Sequence, residues 1–243
     1  MNDLIITIDS GSNLNIDCCN KYNIIPLKRN YIFNDKICID NLNKEEYLKT
    51  YKDIKKGKKS LLMSINQYAY LDFWYTYLRN NKSIIHISIG DKEFKSATLA
   101  KKMLEKEFKD LSIYIIQSNQ DSLNAGMLAI YASKLRDSNT PILNIYETIN
   151  EKKNNVIAYC TNNKNIKKNN LSKMFDVLKN NISYADILFI LHSDNISCAN
   201  EMGSILQNKY GIKNIEYNYI APYKCNQNTF DQICVFFLQK NKI

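Results

Sequence analysis

Apolar positions along the chain alternate between short β-branched runs and stretches of helical spacing. Leu4–Ile8 (LIITI) reads as a buried strand that ends at Asp9-Ser10-Gly11-Ser12. Ile84–Ile87 reads as another, followed by a polar turn centred on Gly90 and an amphipathic helix from about Glu93. Phe94, Ala97, Ala100, Lys101 and Leu104 stand at helical spacing there. Strand, tight loop and helix is the geometry that brings free helix N–H groups to an anion at the edge of an open α/β sheet. It also describes an ordinary connection between strand and helix.

The remaining pattern has the same rhythm. Short strands are expected at Ile24–Leu27, Tyr31–Phe33 and Ile37–Ile39, with a turn at Asn34-Asp35. A helix begins at Leu42-Asn43, carries Glu45 and Glu46 in its first turn, and ends near Gly57. A second, about Tyr68–Arg79, lines up Leu71, Trp74, Tyr75 and Leu78 on one face, with Trp74 read as core. A strand at Ser112–Ile116 and a helix at Ser122–Leu135 complete an alternation that implies a mainly parallel sheet with helices on both faces. The turn-rich Asp137–Pro141 marks a boundary, giving an N-terminal α/β domain over 1–138 and a smaller one over 139–243. In the second, helices are expected at Ile142–Lys152, Leu171–Asn180 and Ile196–Tyr210, the last closed by Gly211. Strands are expected at Val156–Cys160, Asp186–Leu191, Ile215–Ile220 and Ile233–Leu238, and Asn162–Asn170 reads as a surface loop.

Composition narrows the class. With 243 residues, 45% hydrophobic and 23% charged, the chain is an ordinary globular protein with ample core. Its net charge of +9 is spread as single and paired lysines, without an arginine-rich segment or an RNA-reading aromatic motif. That pattern describes a solvated surface; it favours an acidic protein partner or a transient anionic membrane surface over nucleic acid. Seven cysteines, an odd count with no CxxC pair and no signal peptide, point to reduced thiols in a cytoplasmic protein. Two histidines do not make a zinc site, so no metal or cofactor is expected. No apolar run approaches the ~20 residues that span a bilayer.

No GxSxG elbow, Walker loop or GxGxxG is present, and no catalytic constellation assembles. His86, inside an apolar run, reads as a core histidine, whereas His192 closes a strand beside Asp194. A polar group ends each apolar strand: Asp9-Ser10, Ser88, Ser118, and His192-Ser193-Asp194. At the strand tips of an α/β sheet such a set suits an anionic head group, which is binding rather than reaction.

In order, these motifs resemble the DegV family, whose members include the fatty-acid-binding B subunit of fatty acid kinase. Thr7-Ile8-Asp9-Ser10 with Asn13-Leu14 resembles its TDSxxDL opening, Ile24–Leu27 its VVPL, and Asp40–Tyr47 its D-(I/L)-S-x-E-E-F/Y. Ile85–Gly90 with Ser96-Ala97 resembles IHISSG...SA, and Ser118–Gly126 part of DSxxxSxGxG. Val156–Lys173 resembles the segment ending in GGRLSK, with Asn169-Asn170 at the glycines. His192–Asp194 resembles HAD, and Ala221-Pro222 resembles GP.

The resemblance implies two α/β domains, a long-chain fatty acid held by hydroxyls at its carboxylate, and presentation to a separate kinase subunit with no chemistry on the acyl chain. It assigns Ser64, Ser88 and Gly90 to the head group with Asp9 and Ser10, and places Met63, Ile89, Gln227 and His192 around them. The family's threonine stands here as Met63, its second serine as Ile89 and a late histidine as Gln227. A segment after the GGRLSK-like stretch is also missing, trimming the second domain by a strand pair. Two other readings stay open: a member whose pocket is filled by Met63 and Ile89 and that acts through protein contact or another ligand, and a nucleic-acid or phosphate binder.

Overall fold

The computed structural model describes residues 4–80, 82–109, 112–118, 123–162, 185–225 and 232–239. The first half runs β1 (Leu4–Asp9), α1 (Ile16–Lys21), β2 (Ile24–Leu27), β3 (Asn30–Phe33), β4 (Lys36–Ile39) and α2 (Lys44–Lys55). It continues through β5 (Ser60–Leu62), α3 (Gln67–Leu78), β6 (Ser83–Ile89), α4 (Gly90–Leu104), β7 (Ile113–Ser118) and α5 (Leu123–Asp137). Then come α6 (Ile142–Lys152), β8 (Val156–Asn162), β9 (Ala185–His192), α7 (Ile196–Tyr210), β10 (Ile215–Tyr219) and β11 (Gln232–Gln239). The mixed α/β class expected from the alternation is the one observed. The loop expected over Asn162–Asn170 beyond its first residue, and the helix at Leu171–Asn180, lie outside the described residues.

The chain divides into two compact units: Met1–Asn41 with Leu62–Asn154, and Leu42–Leu61 with Asn155–Ile243. Relative to the expected division at 138/139, α6 falls in the first unit and α2 in the second. Ile145 and Ile149 of α6 are buried, and α6 packs on α5 and β7. In the second unit the Tyr51 hydroxyl of α2 donates to the Ile220 carbonyl. Turn-rich composition at 137–141 thus marks a bend between packed helices.

The first unit holds a parallel sheet in the order β2-β1-β6-β7. One face carries Ile84 and Ile113 against Tyr70, Trp74 and Leu78 of α3 and Ala97, Ala100 and Leu104 of α4. Trp74 is fully buried, as expected of a core residue, but the inward stripe of α3 is Tyr70, Trp74 and Leu78, with Leu71 and Tyr75 only half-buried. Ile6, Ile8, Ile85 and Ile87 alternate with this set and are buried too. α5 lies against β1 and β6. A β3–β4 hairpin turns through Asn34 and Asp35, both at positive φ (48° and 62°), conformations those short polar side chains tolerate.

The polar loop expected between strand and helix at Gly90 is absent. The strand continues through Ile89, whose side chain is buried, and α4 begins at the next residue. Gly90 makes that turn alone, at a φ of 76°.

The second unit builds a sheet in the order β10-β9-β11-β8, with β10 parallel to β9 and β11 antiparallel to β9 and β8. α7 buries Cys198, Ala199, Met202, Gly203 and Leu206. A Cβ at Gly203 would meet the Tyr217 hydroxyl, so a larger residue there would have to displace that ring. Gly211 ends α7 at a φ of 68°, as its position predicted.

The expectation of reduced thiols is corrected in this unit. Cys160 and Cys234 are direct cross-strand partners on β8 and β11, with Cα atoms 4.0 Å apart, and form a disulfide. They lie 74 residues apart in sequence, so only the strand register reveals that they face each other. Cys18, Cys19, Cys38, Cys198 and Cys225 remain thiols.

Candidate functional site

β1 and β6 are neighbours in register, so their carboxyl ends bring Asp9-Ser10-Gly11 beside Ser88-Ile89-Gly90. Asp9 is fully buried and is the hub. Its carboxylate accepts the Tyr70 hydroxyl at 2.6 Å, the Ile89 N–H at 3.0 Å and the Ser88 hydroxyl at 3.3 Å. His86 Nε2 lies 3.4 Å from the same carboxylate, and its Nδ1 lies 3.0 Å from the Thr7 hydroxyl. Thr7, Asp9, His86 and Ser88 project from the sheet face that α3 covers, which is why Tyr70 can reach Asp9 and the Tyr70 and Trp74 rings can pack on His86 at 5.2 Å.

Burial by itself would push the Asp9 carboxyl upward. The adjacent His86, the Tyr70 hydroxyl and the Ile89 N–H outweigh it and hold Asp9 below the usual carboxylate range. Burial and the Asp9 carboxylate push the Tyr70 phenol well above its ordinary value, so Tyr70 remains a donor. The result is an ionised, hydrogen-bonded anchor under the first turn of α4.

Beside this anchor lies Arg29, just past β2. Its guanidinium is 3.4 Å from Glu93 of α4, and both residues are buried. A Cβ on Gly11 would sit 2.7 Å from Ile89 Cδ1 and 3.2 Å from Arg29 Cζ, so Gly11 is a point of close approach. Ser10 Oγ accepts the Arg29 N–H at 3.1 Å. No side chain caps α4; of the two acids in its first turn, Glu93 pairs with Arg29 and Asp91 accepts from Gln117.

The structure thus groups Asp9, Ser10, Ser88, Ile89 and Gly90. Ser10 and Ser88 are buried and Gly90 is exposed. Ser64 is exposed and Met63 half-buried, in the segment leading to α3. Gln227 lies outside the described residues. His192 stands in the other unit, at the end of β9, fully buried with its ring 4.6 Å from that of Tyr219. Burial pushes its imidazole down to about 4, helped by Lys44 and opposed by the Ser193 backbone and Asp194, so it is neutral at pH 7. Lys44 Nζ lies 5.7 Å over the Tyr219 ring, and Lys55 pairs with Asp194.

Arg29 and Tyr70 are the residues that sequence reasoning missed. Tyr70 precedes Trp74 by one helical turn, which signals a shared face but not a bond to Asp9, 61 residues away. Arg29 carried a faint signal, one of three arginines in a lysine-rich chain, placed beside a buried strand. Among the described residues no group of three or more His, Cys, Asp or Glu could hold a metal ion, and no helix is long and apolar enough to cross a membrane.

Comparison with known proteins agrees with this architecture. A DegV domain-containing protein of Clostridium perfringens is 22% identical over 251 residues, covering 84% of this chain and 86% of its own. The structure is similar to that of a DegV lipid-binding protein from Thermotoga maritima (TM-score 0.79, 14% identity, 99% of each chain). It is likewise similar to a stearic-acid-binding protein from Eubacterium ventriosum (TM-score 0.81, 13% identity, 97% of this chain and 98% of that one). The fatty-acid-binding protein DegV of Bacillus subtilis gives a TM-score of 0.79 at 14% identity, over 99% of this chain and all of its own. At these identities the likeness establishes the fold. The family model for DegV proteins matches residues 3–169, more than half of the sequence, and the chain belongs to the DegV family.

Proposed function

We propose that this protein binds a long-chain fatty acid or similar amphiphile without reacting with it, and presents the carboxylate to a partner kinase subunit. The observation that carries the reading is the match of nearly the whole chain, 97–99%, to folds described as lipid- or fatty-acid-binding. In this reading the exposed Ser64 hydroxyl and the backbone at Gly90 contact the carboxylate. Asp9, Ser10 and Ser88 hold the surrounding backbone, because the Ser88 hydroxyl and the Ile89 N–H are already donated to Asp9. The positive charge of +9 suits a protein that collects its ligand at an anionic membrane surface.

One observation favours a second reading, in which the head-group pocket is filled and the protein acts through protein contact or another ligand. Ile89 and Arg29 pack against Gly11 beside the Asp9 cluster, and Arg29 is already paired with Glu93.

Native mass spectrometry with organic extraction, alongside thermal unfolding with oleate or palmitate, separates the two. Acyl binding predicts a co-purified fatty acid or a ligand-dependent rise in Tm. The filled pocket predicts neither for the parent, and a gain of fatty-acid affinity when Met63→Thr and Ile89→Ser are combined. A parent and a double variant that both ignore fatty acid would sink the acyl reading.

A further inference from the structure

We propose that a groove at the free edge of β7 binds a small planar aromatic carboxylate, at a site sharing no residue with the Asp9 cluster. The groove is open to solvent, has a volume of about 310 Å3, and is lined by Phe94, Thr98 and Lys101 of α4, Tyr114 and Ile115 of β7, and Tyr146 of α6. That volume is at the lower end of the range of small-ligand pockets.

The groove follows from where β7 sits. β7 ends its sheet, and no described strand pairs with its outer side. The Ile84 N–H donates to the Ser112 carbonyl at 2.8 Å, and strand groups alternate in direction. The N–H and C=O of Ile113, Ile115 and Gln117 therefore turn away from β6. Tyr114 and Ile115 project to opposite faces, so the groove wraps the edge with the outward peptide group of Ile115 along it.

The lining selects the ligand. The Tyr114 and Tyr146 rings are tilted 44° to each other with centroids 5.1 Å apart, and Phe94 adds a third ring. Three rings around a short groove favour a flat π system through edge and offset contacts. Thr98 contributes little polarity, because its hydroxyl is donated to the Phe94 carbonyl at 2.8 Å. Lys101 is the single charged residue of the lining, and its Nζ lies 5.9 Å over the Tyr114 ring. Its acidic partner Glu105, 3.5 Å away, is half exposed and outside the lining. Such an exposed pair is worth little, so a ligand carboxylate inside the groove can replace it with a charge-assisted bond. The Ile115 peptide group offers a further donor and acceptor.

The probe is naphthalene-2-carboxylate, followed by fluorescence polarisation and by the amide resonance of Ile115. Saturable binding near 1 mM or tighter is expected for a ligand of this size. Tyr146→Ala and Lys101→Met should each weaken it tenfold or more, with both variants checked for parental circular dichroism and Tm. The neutral analogue naphthalene-2-methanol should bind at least fivefold less tightly. The proposal is overturned by unsaturable binding, by equal affinity of both variants, or by equal affinity of the neutral analogue. Displacement of the probe by oleate with no shift at Ile115 would also overturn it, by placing the probe in an acyl site. A dimer in which Ile115 and Tyr146 are protected would do the same, making the groove a self-association surface.

Discussion

Replacing Asp9 with asparagine turns one of its two acceptor oxygens into an NH2 group, which then faces either the Tyr70 donor or the Ser88 and Ile89 donors. Removing one member of such a buried charged network costs about 2–4 kcal/mol. We expect Asp9→Asn to lower the urea midpoint accordingly, while Tyr70→Phe, which removes one donor, costs less. Equal stability of Asp9→Asn and the parent would contradict the role of Asp9 as anchor. Two buried groups, His192 and Asp9, also give stability a pH signature. His192 is neutral in the folded protein down to about pH 4, whereas in the unfolded chain it takes up a proton near 6.5. The unfolded state binds more protons between those values, so stability falls as pH drops from about 6.5 to about 4, by up to about 3 kcal/mol. His192→Gln should flatten that window in urea titrations at stepped pH. Asp9 has the opposite charge type: its folded pKa is depressed, so its contribution is complete above about 4 and is lost only below that.

Among elements, β8 and β11 are the pair whose connection the sequence hides. Their cysteines close a loop of 74 residues, and a cross-link of that span stabilises by about 4 kcal/mol in the chain-entropy account. Dithiothreitol, or Cys160→Ser with Cys234→Ser, should therefore lower the unfolding free energy of the oxidised protein by about 2–4 kcal/mol. Unfolding curves that superimpose with and without reductant would show that the bridge adds nothing. Other elements were plain in the one-dimensional pattern. α6 and α7 fall at their expected bounds, Asn34-Asp35 forms the expected turn, and Gly211 ends its helix, because each is specified by contacts a few residues apart. Periodicity was less informative at Gly90. A single glycine at positive φ converts strand to helix without a loop, and nothing local distinguishes that from a three-residue turn. The inward face of α3 kept Trp74 and Leu78 but added Tyr70, which reaches Asp9, with Leu71 and Tyr75 packed at its margin.

At the scale of the molecule, the alternation of strand and helix sufficed for the α/β class, and the ordered motifs for the family. The division into units did not follow from composition. The segment 42–61 leaves the first unit and joins residues from beyond 155, a discontinuity no polar linker announces. The scattered lysines carry the same lesson. Lys101 looked like one more solvated cation, yet its neighbours on β7 and α6 make it part of an aromatic groove.

What the sequence determined by itself is everything written in short-range pattern: strands, helices, caps, turns, and the clustering of polar residues at strand ends. The tertiary structure alone decided which of those polar residues meet. Ser88 spends its proton on Asp9, Arg29 meets Glu93 across 64 residues, and Cys160 faces Cys234. The physical reason is that burial and hydrogen-bond pairing depend on distances in space, which sheet order and register set.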